Sequence, residues 1–434
     1  MWSVDGAELP ADVRETRFPK MARVRQTFDR PRVDDVAAAV RAQAAECGLG
    51  SRLRPGDTVA ITAGSRGIAN IDTIVRGVVD AVRDAGAKPF VFPAMGSHGG
   101  ATAEGQASVL EHYGIAEATM GCPVKSGSDA VELGRLDDGT PVYLDAYAHE
   151  ADHVAVVNRV KPHTGFHAAV ESGLCKMLAI GVGKQTGANY YHRAFLRQDF
   201  QETVLGAANF LIDSGRVCMG LAVVENAYDE TAMVIGLAPE EIVSVEKKLI
   251  CQARELMGSI LFREIDCLIV DYIGKDVSGG GMDSNITGRK FRDGEGASSV
   301  HAPDILRIFV RDMTEKSQGN ATGIGSADVT TTRLVEQIDR NSTYMNALTA
   351  KVTAGCRIPP YFDTDMAALA WVLNTVGLTE PHDTKTVRIR STLDLEDILV
   401  SEALLAEARE APNATVLGGP ELMRFTDAGQ LTDF

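Results

Sequence analysis

Apolar strands and amphipathic helices alternate along the first half of the chain. The runs at 58–64 (TVAITAG) and 88–96 (KPFVFPAMG) are almost continuously apolar, and residues 71–87 between them repeat apolar positions at helical spacing. Further apolar runs follow at 153–161 and 216–226. Apolar strands that are separated by helices predict a parallel sheet covered on both faces.

Shorter elements fill the intervals between these strands. Thr102 precedes a helix that Gly114 closes, and DDGT at 137–140 is typical of a hairpin turn. The pattern also predicts helices over 168–180 and 196–213. The first 50 residues are mostly polar and end in a predicted helix, VDDVAAAVRAQAAEC.

A long charged helix at 239–258 has the pattern of a connector between domains. Beyond it the sequence predicts two strands, two helices and a last strand, at residues 266–274, 305–313, 321–340, 364–377 and 387–392. We therefore predict an α/β fold of two domains, a parallel-sheet N-terminal domain at 1–260 and a smaller α/β C-terminal domain at 261–434.

Composition excludes several classes of protein. The chain has 434 residues, of which 45% are hydrophobic and 24% charged, as in globular proteins. A formal net charge of -16 disfavours binding to nucleic acid. Seven scattered cysteines without a CxxC pair argue against a disulfide framework and a thiolate zinc site. Neither a signal peptide nor an apolar run of membrane-spanning length is present in the sequence, so we expect a cytoplasmic protein without a membrane partner.

Three charged or titratable residues follow predicted parallel strands. Arg66 comes after the strand at 58–64, His98 after the strand at 88–96, and His163 after the strand at 153–161. Each alone could be an ordinary surface residue, but ligands gather at the carboxyl ends of parallel strands. Arginine suits a carboxylate or phosphate, and histidine exchanges protons near neutral pH.

The segment after His163 carries further candidates. Lys176 lies within a predicted helix between apolar neighbours, where it either takes part in chemistry or extends its ammonium group to solvent. Lys184 follows Gly183 and is the alternative that we expect to be more exposed. His167 competes with His163 for the same role.

Histidines also raise the question of a metal site. His98, His163 and His192 could serve together as ligands, although the close spacing of an HxxxH motif is absent.

Taken together, these residues resemble the nickel-dependent lactate racemase family, the LarA-type enzymes. The resemblance implies that Lys176 carries a nickel-pincer nucleotide (pyridinium-3,5-bisthiocarboxylic acid mononucleotide nickel) and that His192, sixteen residues later, is a nickel ligand. It implies that His98 and His163 are the catalytic acid/base pair and that Arg66 binds the substrate carboxylate. It also implies a site in the cleft between two domains.

The chain departs from that family at substrate-facing positions. Ala63 stands where lactate-specific members have an aspartate, and Thr287 and Gly288 stand where a tyrosine and a glutamine are expected. Arg289 and Lys290 add positive charge beside them, and we assign both to substrate binding. Smaller side chains and added cations favour a substrate that is longer or more anionic than lactate.

The resemblance therefore implies a racemase or epimerase of a 2-hydroxy acid other than lactate, acting by hydride removal and return at C2. It implies a small-molecule partner and cofactor-biosynthesis proteins, and it leaves assembly into an oligomer open. The residues themselves leave two alternatives, a histidine-ligated metal-dependent hydrolase or lyase and a non-catalytic anion-binding protein.

Overall fold

A computed structural model describes residues 9–65, 67–96, 98–195, 197–289 and 302–433. These residues form two compact units. One unit contains residues 29–163 and 167–257, and the other contains residues 9–28, 164–166 and those from 258 onward. No helix within the described ranges is both long enough and apolar enough to span a membrane.

The strands of the described residues are, in chain order, β1 Lys20–Gln26, β2 Thr58–Ala63, β3 Lys88–Pro93, β4 Ala130–Arg135, β5 Pro141–Asp145, β6 His153–Arg159, β7 Val217–Glu225, β8 Thr231–Leu237, β9 Glu264–Ile273, β10 Asp304–Met313, β11 Thr330–Thr331, β12 Tyr361–Phe362, β13 Thr386–Ile389, β14 Asp397–Ser401, β15 Ala414–Val416 and β16 Glu421–Leu422.

The α-helices of the same residues are α1 Ala11–Arg14, α2 Val36–Glu46, α3 Leu49–Arg52, α4 Ile71–Asp84, α5 Ala103–His112, α6 Glu117–Met120, α7 Ala146–Glu150, α8 Leu174–Lys176, α9 Lys184–Ala194, α10 Phe200–Asp213, α11 Ile242–Glu255, α12 Ser284–Thr287, α13 Thr332–Glu336, α14 Arg340–Ala350, α15 Asp365–Leu373 and α16 Leu405–Glu410.

The unit of residues 29–163 and 167–257 is built on a sheet of order β3-β2-β6-β7-β8. Strands β3, β2, β6 and β7 are parallel, and β8 pairs antiparallel with β7. The predicted parallel sheet is therefore confirmed. Helix α4 packs on this sheet. Gly77 of α4 lets helix α2 approach α4 closely, because a Cβ at position 77 would lie 2.8 Å from Val40 of α2.

The other unit has a mixed sheet of order β10-β9-β13-β14-β1-β15, with β16 paired to β1. Strand β1 is absent from the sequence prediction, which treated this segment as polar. From Ala22 onward its residues alternate between buried and exposed, with Ala22, Val24 and Gln26 buried, and the exposed Arg23 and Arg25 between them conceal the pattern. Residues 9–28 thus group with the C-terminal part of the chain, whereas the predicted boundary at residue 260 placed them in the N-terminal domain.

Two predicted helices differ from the structure. The helix expected over 168–180 begins only at Leu174, and residues 177–181 continue α8 as a π-turn. Within the predicted helix 321–340 the structure has a 3-10 turn, the short strand β11 and α13. Gly323 and Gly325 lie against other backbone segments there, and neighbouring loops determine the conformation more than helix propensity does.

Candidate active site

The loops after β2 and β3 meet at the carboxyl ends of these neighbouring parallel strands. Ser65 follows β2 and His98 follows β3, and the Ser65 hydroxyl is hydrogen-bonded to His98 Nδ1. The predicted convergence of the two loops is therefore observed for these residues. Ser65 was not predicted, and the polar loop after a buried strand is the signal that could have identified it. Arg66 lies outside the described residues, so its carboxylate-binding role stays a prediction.

The backbone of the His98 loop is held by a glutamine from α5. Gln106 Nε2 donates hydrogen bonds to the carbonyl oxygens of Gly96 and His98, at 3.0 and 3.2 Å. Gly99 has a φ of +64°, and a Cβ on it would lie 2.7 Å from the Gln106 amide nitrogen. Glycine is thus required where the loop turns against α5, and His98 itself remains exposed.

Lys184 is buried, contrary to the expectation that it is the more exposed lysine. Its Nζ donates to Pro93 O at 2.9 Å and Gln106 Oε1 at 2.5 Å, and lies 3.4 Å from an Asp145 carboxylate oxygen. Burial lowers the pKa of Lys184, and the Asp145 charge partly offsets this. Lys184 therefore holds the His98 loop indirectly, because it binds the amide oxygen of Gln106, whose amide nitrogen binds the loop.

Lys176 lies at the junction of α8 and the π-turn and is partly exposed. π-turns in helices are frequent at functional sites. Its neighbour Met177 approaches the loop after β2, because a Cβ on Gly64 would lie 3.3 Å from Met177 Cε.

Burial and the nearby Glu246 raise the pKa of the Cys175 thiol far above its usual range, so Cys175 stays a neutral thiol.

A buried carboxylate organises the segment that carries His163 and His167. Glu171 accepts hydrogen bonds from the His163 backbone N–H and from Ala168 N, the latter at 3.0 Å. It also contacts His167 Nδ1 at 3.4 Å and an Arg254 guanidinium nitrogen at 2.5 Å. Sequence reasoning missed Glu171, although an acidic residue inside a predicted apolar helix was a usable signal.

His192 belongs to the last turn of α9 and is partly exposed. Its ring lies edge-on to that of Phe195, with 6.2 Å between the ring centroids. The ring centroids of Phe195 and Phe200 are 4.4 Å apart, and those of Phe200 and His163 are 6.2 Å apart. A pair of phenylalanines thus separates the two histidines. This places His163 and His192 around one aromatic cluster.

No three His, Cys, Asp or Glu side chains among the described residues are grouped so that they could hold a metal ion. His98, His163 and His192 are all described and do not form such a group. A metal site with these three histidines as its only ligands is therefore not supported. A single imidazole that completes the coordination of a metal held by a cofactor is compatible with this arrangement.

Most of the residues that the sequence assigns to the substrate from the C-terminal part of the chain are described. Thr287 is buried at the end of α12, and Gly288 closes that helix with a φ of +71°. The Arg289 guanidinium pairs with Asp328 at 2.5 Å and donates to three carbonyl groups. The assignment of Arg289 to a substrate stays a prediction, and Asp328 already balances its charge. Lys290 lies outside the described residues.

Comparison with known proteins finds a similarity in the N-terminal part of the chain. Residues 22–203 match the family model of the lactate racemase N-terminal domain. The structure also aligns with that of the lactate racemase apoprotein from Thermoanaerobacterium thermosaccharolyticum at 11% identity and a TM-score of 0.45, over 89% of this chain and 86% of the other. No curated protein matches the chain.

Proposed function

We propose that this chain is a LarA-like member of the lactate racemase family and a racemase or epimerase of a 2-hydroxy acid other than lactate. The observation that carries the proposal is the family match over residues 22–203. That single domain contains every candidate of the N-terminal site, namely Arg66, His98, His163, Lys176 and His192.

We assign the attachment of a nickel-pincer nucleotide to Lys176 rather than to Lys184. Lys184 is buried, with its ammonium group held by a carbonyl, an amide and a carboxylate, and releasing it would leave Asp145 as a buried unpaired charge. Lys176 is partly exposed, as an amine that reacts with a cofactor must be. The imidazole of His192 suits nickel, so the donor set fits this cofactor.

When bound, the nickel-pincer nucleotide would supply a hydride acceptor and donor. The chain would contribute proton transfer and orientation. We assign proton exchange with the substrate hydroxyl to His98 Nε2, because Ser65 holds the Nδ1 side of the ring. The opposite face needs a second acid/base, which is His163 or His167, since Glu171 contacts the backbone of the first and the ring of the second. Arg66 would bind the carboxylate.

The test is the intact mass of protein that is produced together with the cofactor pathway. A nucleotide-sized adduct that is lost in Lys176→Ala supports the assignment, with Lys248→Ala, at an exposed position on α11, as the control. Loss of C2 stereochemistry in a screen of 2-hydroxy acids then tests the activity. Bound metal without an adduct would favour the hydrolase or lyase, and neither metal nor adduct would favour an anion-binding protein.

A further inference from the structure

Helix α11, which the sequence suggested was only a connector, carries two side chains that reach the candidate active site. Glu246 and Arg254 lie eight residues apart, which is about two helical turns. Glu246 accepts a hydrogen bond from the backbone of Cys175, the residue before Lys176, and Arg254 contacts Glu171, the carboxylate that holds the histidine segment.

Glu246 caps the helix that carries Lys176. The N-cap residue of α8 is Gly173, which has no side chain with which to bind the first N–H groups. Glu246 supplies the acceptor instead, because its Oε2 accepts a hydrogen bond from Cys175 N at 2.9 Å. A Cβ on residue 173 would lie 2.3 Å from Glu246 Oε1, so glycine leaves the space that the carboxyl group fills.

Apolar packing holds α11 at the same place. Gly220 on β7 lets Leu174 and Ile242 approach the strand, because a Cβ there would lie 2.8 Å from one and 3.0 Å from the other. Ile242 is the first residue of α11 and Leu174 the first of α8. The two helices therefore meet over β7, with the Glu246 carboxyl group buried beside them.

Arg254 acts on the other segment through Glu171. Its Nη2 donates to Glu171 Oε1 and to Ala168 O, at 2.5 and 3.2 Å. Glu171 in turn accepts from the backbone N–H groups of His163 and Ala168. The guanidinium group thus balances the charge of a carboxylate that is itself buried.

We infer that α11 is a positioning element of the active site, in which Glu246 fixes the turn that carries Lys176 and Arg254, through Glu171, fixes the segment that carries His163 and His167. The inference rests on the proposed function for the roles of these residues. It predicts two separable defects, because Glu246 and Arg254 hold different segments.

Overall stability alone does not explain Glu246. A buried carboxyl group costs free energy that leucine would not, and Glu246 Oε1 has no hydrogen-bond partner among the described residues. Glu246→Leu is therefore expected to keep the thermal unfolding midpoint close to that of the wild type. A purely structural role would instead predict a lowered midpoint.

The first arm of the experiment compares Glu246→Leu with Glu246→Gln. In the cofactor-free protein, Leu174 and Cys175 amides should exchange with deuterium at least tenfold faster in Glu246→Leu, and adduct formation should fall by a similar factor. Glu246→Gln keeps an acceptor oxygen and should restore most of both. Glu255→Gln, at an exposed position on the same helix, is the matched control and should behave as the wild type.

The second arm uses Arg254→Met, with Arg254→Lys as the conservative variant. Arg254→Met should load the cofactor normally, exchange the His163 and Ala168 amides faster, and lose kcat by tenfold or more with little change in KM. Arg254→Lys should recover part of kcat. The inference would be overturned if either Glu246→Leu or Arg254→Met lost both adduct formation and the amide protection of the histidine segment. It would also be overturned if either variant lost neither of them. A wild-type protein without an adduct on Lys176 would instead overturn the proposed function, and the amide exchange would still test the positioning.

Discussion

The Lys184 ammonium group lies 3.4 Å from the Asp145 carboxylate, and both side chains are almost completely buried. Burial raises the pKa of Asp145 and lowers that of Lys184, so for each group the cost of desolvation outweighs the attraction of its partner. Asp145 also caps α7 by accepting from Tyr147 N and Ala148 N. The pair therefore costs free energy to bury and still more to break.

Breaking this pair should destabilise the protein without altering Lys176, the proposed site of cofactor attachment. We expect Lys184→Met to lower the free energy of unfolding by about 3–5 kcal/mol, because it leaves a carboxylate buried without its partner. Asp145→Asn keeps the helix cap. It should cost a similar amount, because it leaves the Lys184 ammonium group buried without its partner charge. Urea unfolding of both variants and of the double variant measures the coupling. The double variant should lose less than the sum of the single losses, and simple additivity would contradict the pairing.

A second prediction concerns pH. Burial raises the pKa of Glu246 from 4.5 to about 7, and hydrogen bonds from Cys175 and Leu174 offset only part of this. Between these values the unfolded chain releases the Glu246 proton while the folded chain keeps it. Stability from this group is therefore complete below pH 4.5 and falls as the pH rises to about 7.

Glu246→Gln should remove that dependence. The free energy of unfolding of the wild type, relative to Glu246→Gln, should fall by a few kcal/mol between pH 4.5 and about 7. Denaturant unfolding at a series of pH values measures the difference, and Glu255→Gln serves as the exposed control. Parallel curves for the wild type and Glu246→Gln would show that Glu246 ionises at the same pH in both states.

The sequence predicts those parts of the site that depend on local pattern. Continuous apolar runs ending in glycine identify β2 and β3, and a parallel sheet then brings the loops after them together. This is why His98 lies where the pattern places it, against Ser65 of the neighbouring loop, which the pattern did not single out. The N-cap at Thr102 is likewise local, since its side chain accepts from Gly105 N.

Residues that act across long chain separations escape such reasoning. Glu171 and Arg254 are 83 positions apart, and Cys175 and Glu246 are 71 apart. A signal was nevertheless present for Glu246, which lies on the apolar face of α11 with Ile242, Leu249 and Ile250. An acidic residue on an apolar helical face indicates a buried partner, whereas the identity of that partner depends on tertiary structure.

A third prediction separates the metal ligand from the acid/base histidines. His192→Ala should lose nickel while it keeps the covalent adduct on Lys176, because the proposed attachment is through Lys176 alone. His98→Ala should keep both nickel and adduct and lose activity. Metal analysis and intact mass on the same samples distinguish these outcomes, with the exposed His382→Ala as the control. Loss of nickel in His98→Ala but not in His192→Ala would reverse the two roles.

The last prediction concerns the substrate. Ala63 is small and buried at the end of β2, Thr287 is buried at the end of α12, and Asp328 balances the charge of Arg289. The expected preference for a second anionic group therefore depends on Lys290 more than on Arg289. Kinetics with lactate, malate, 2-hydroxyglutarate and sugar acids should give a higher kcat/KM for the larger acids.

For a dicarboxylate, Lys290→Ala should raise KM by about ten- to a hundredfold with little change in kcat, because a charged hydrogen bond contributes about 1.5–3 kcal/mol. The exposed Lys316→Ala in the same unit should leave KM unchanged. If lactate has the highest kcat/KM, the substrate assignment is wrong while the racemase assignment stands, because proton exchange at the substrate hydroxyl does not depend on the rest of the acid.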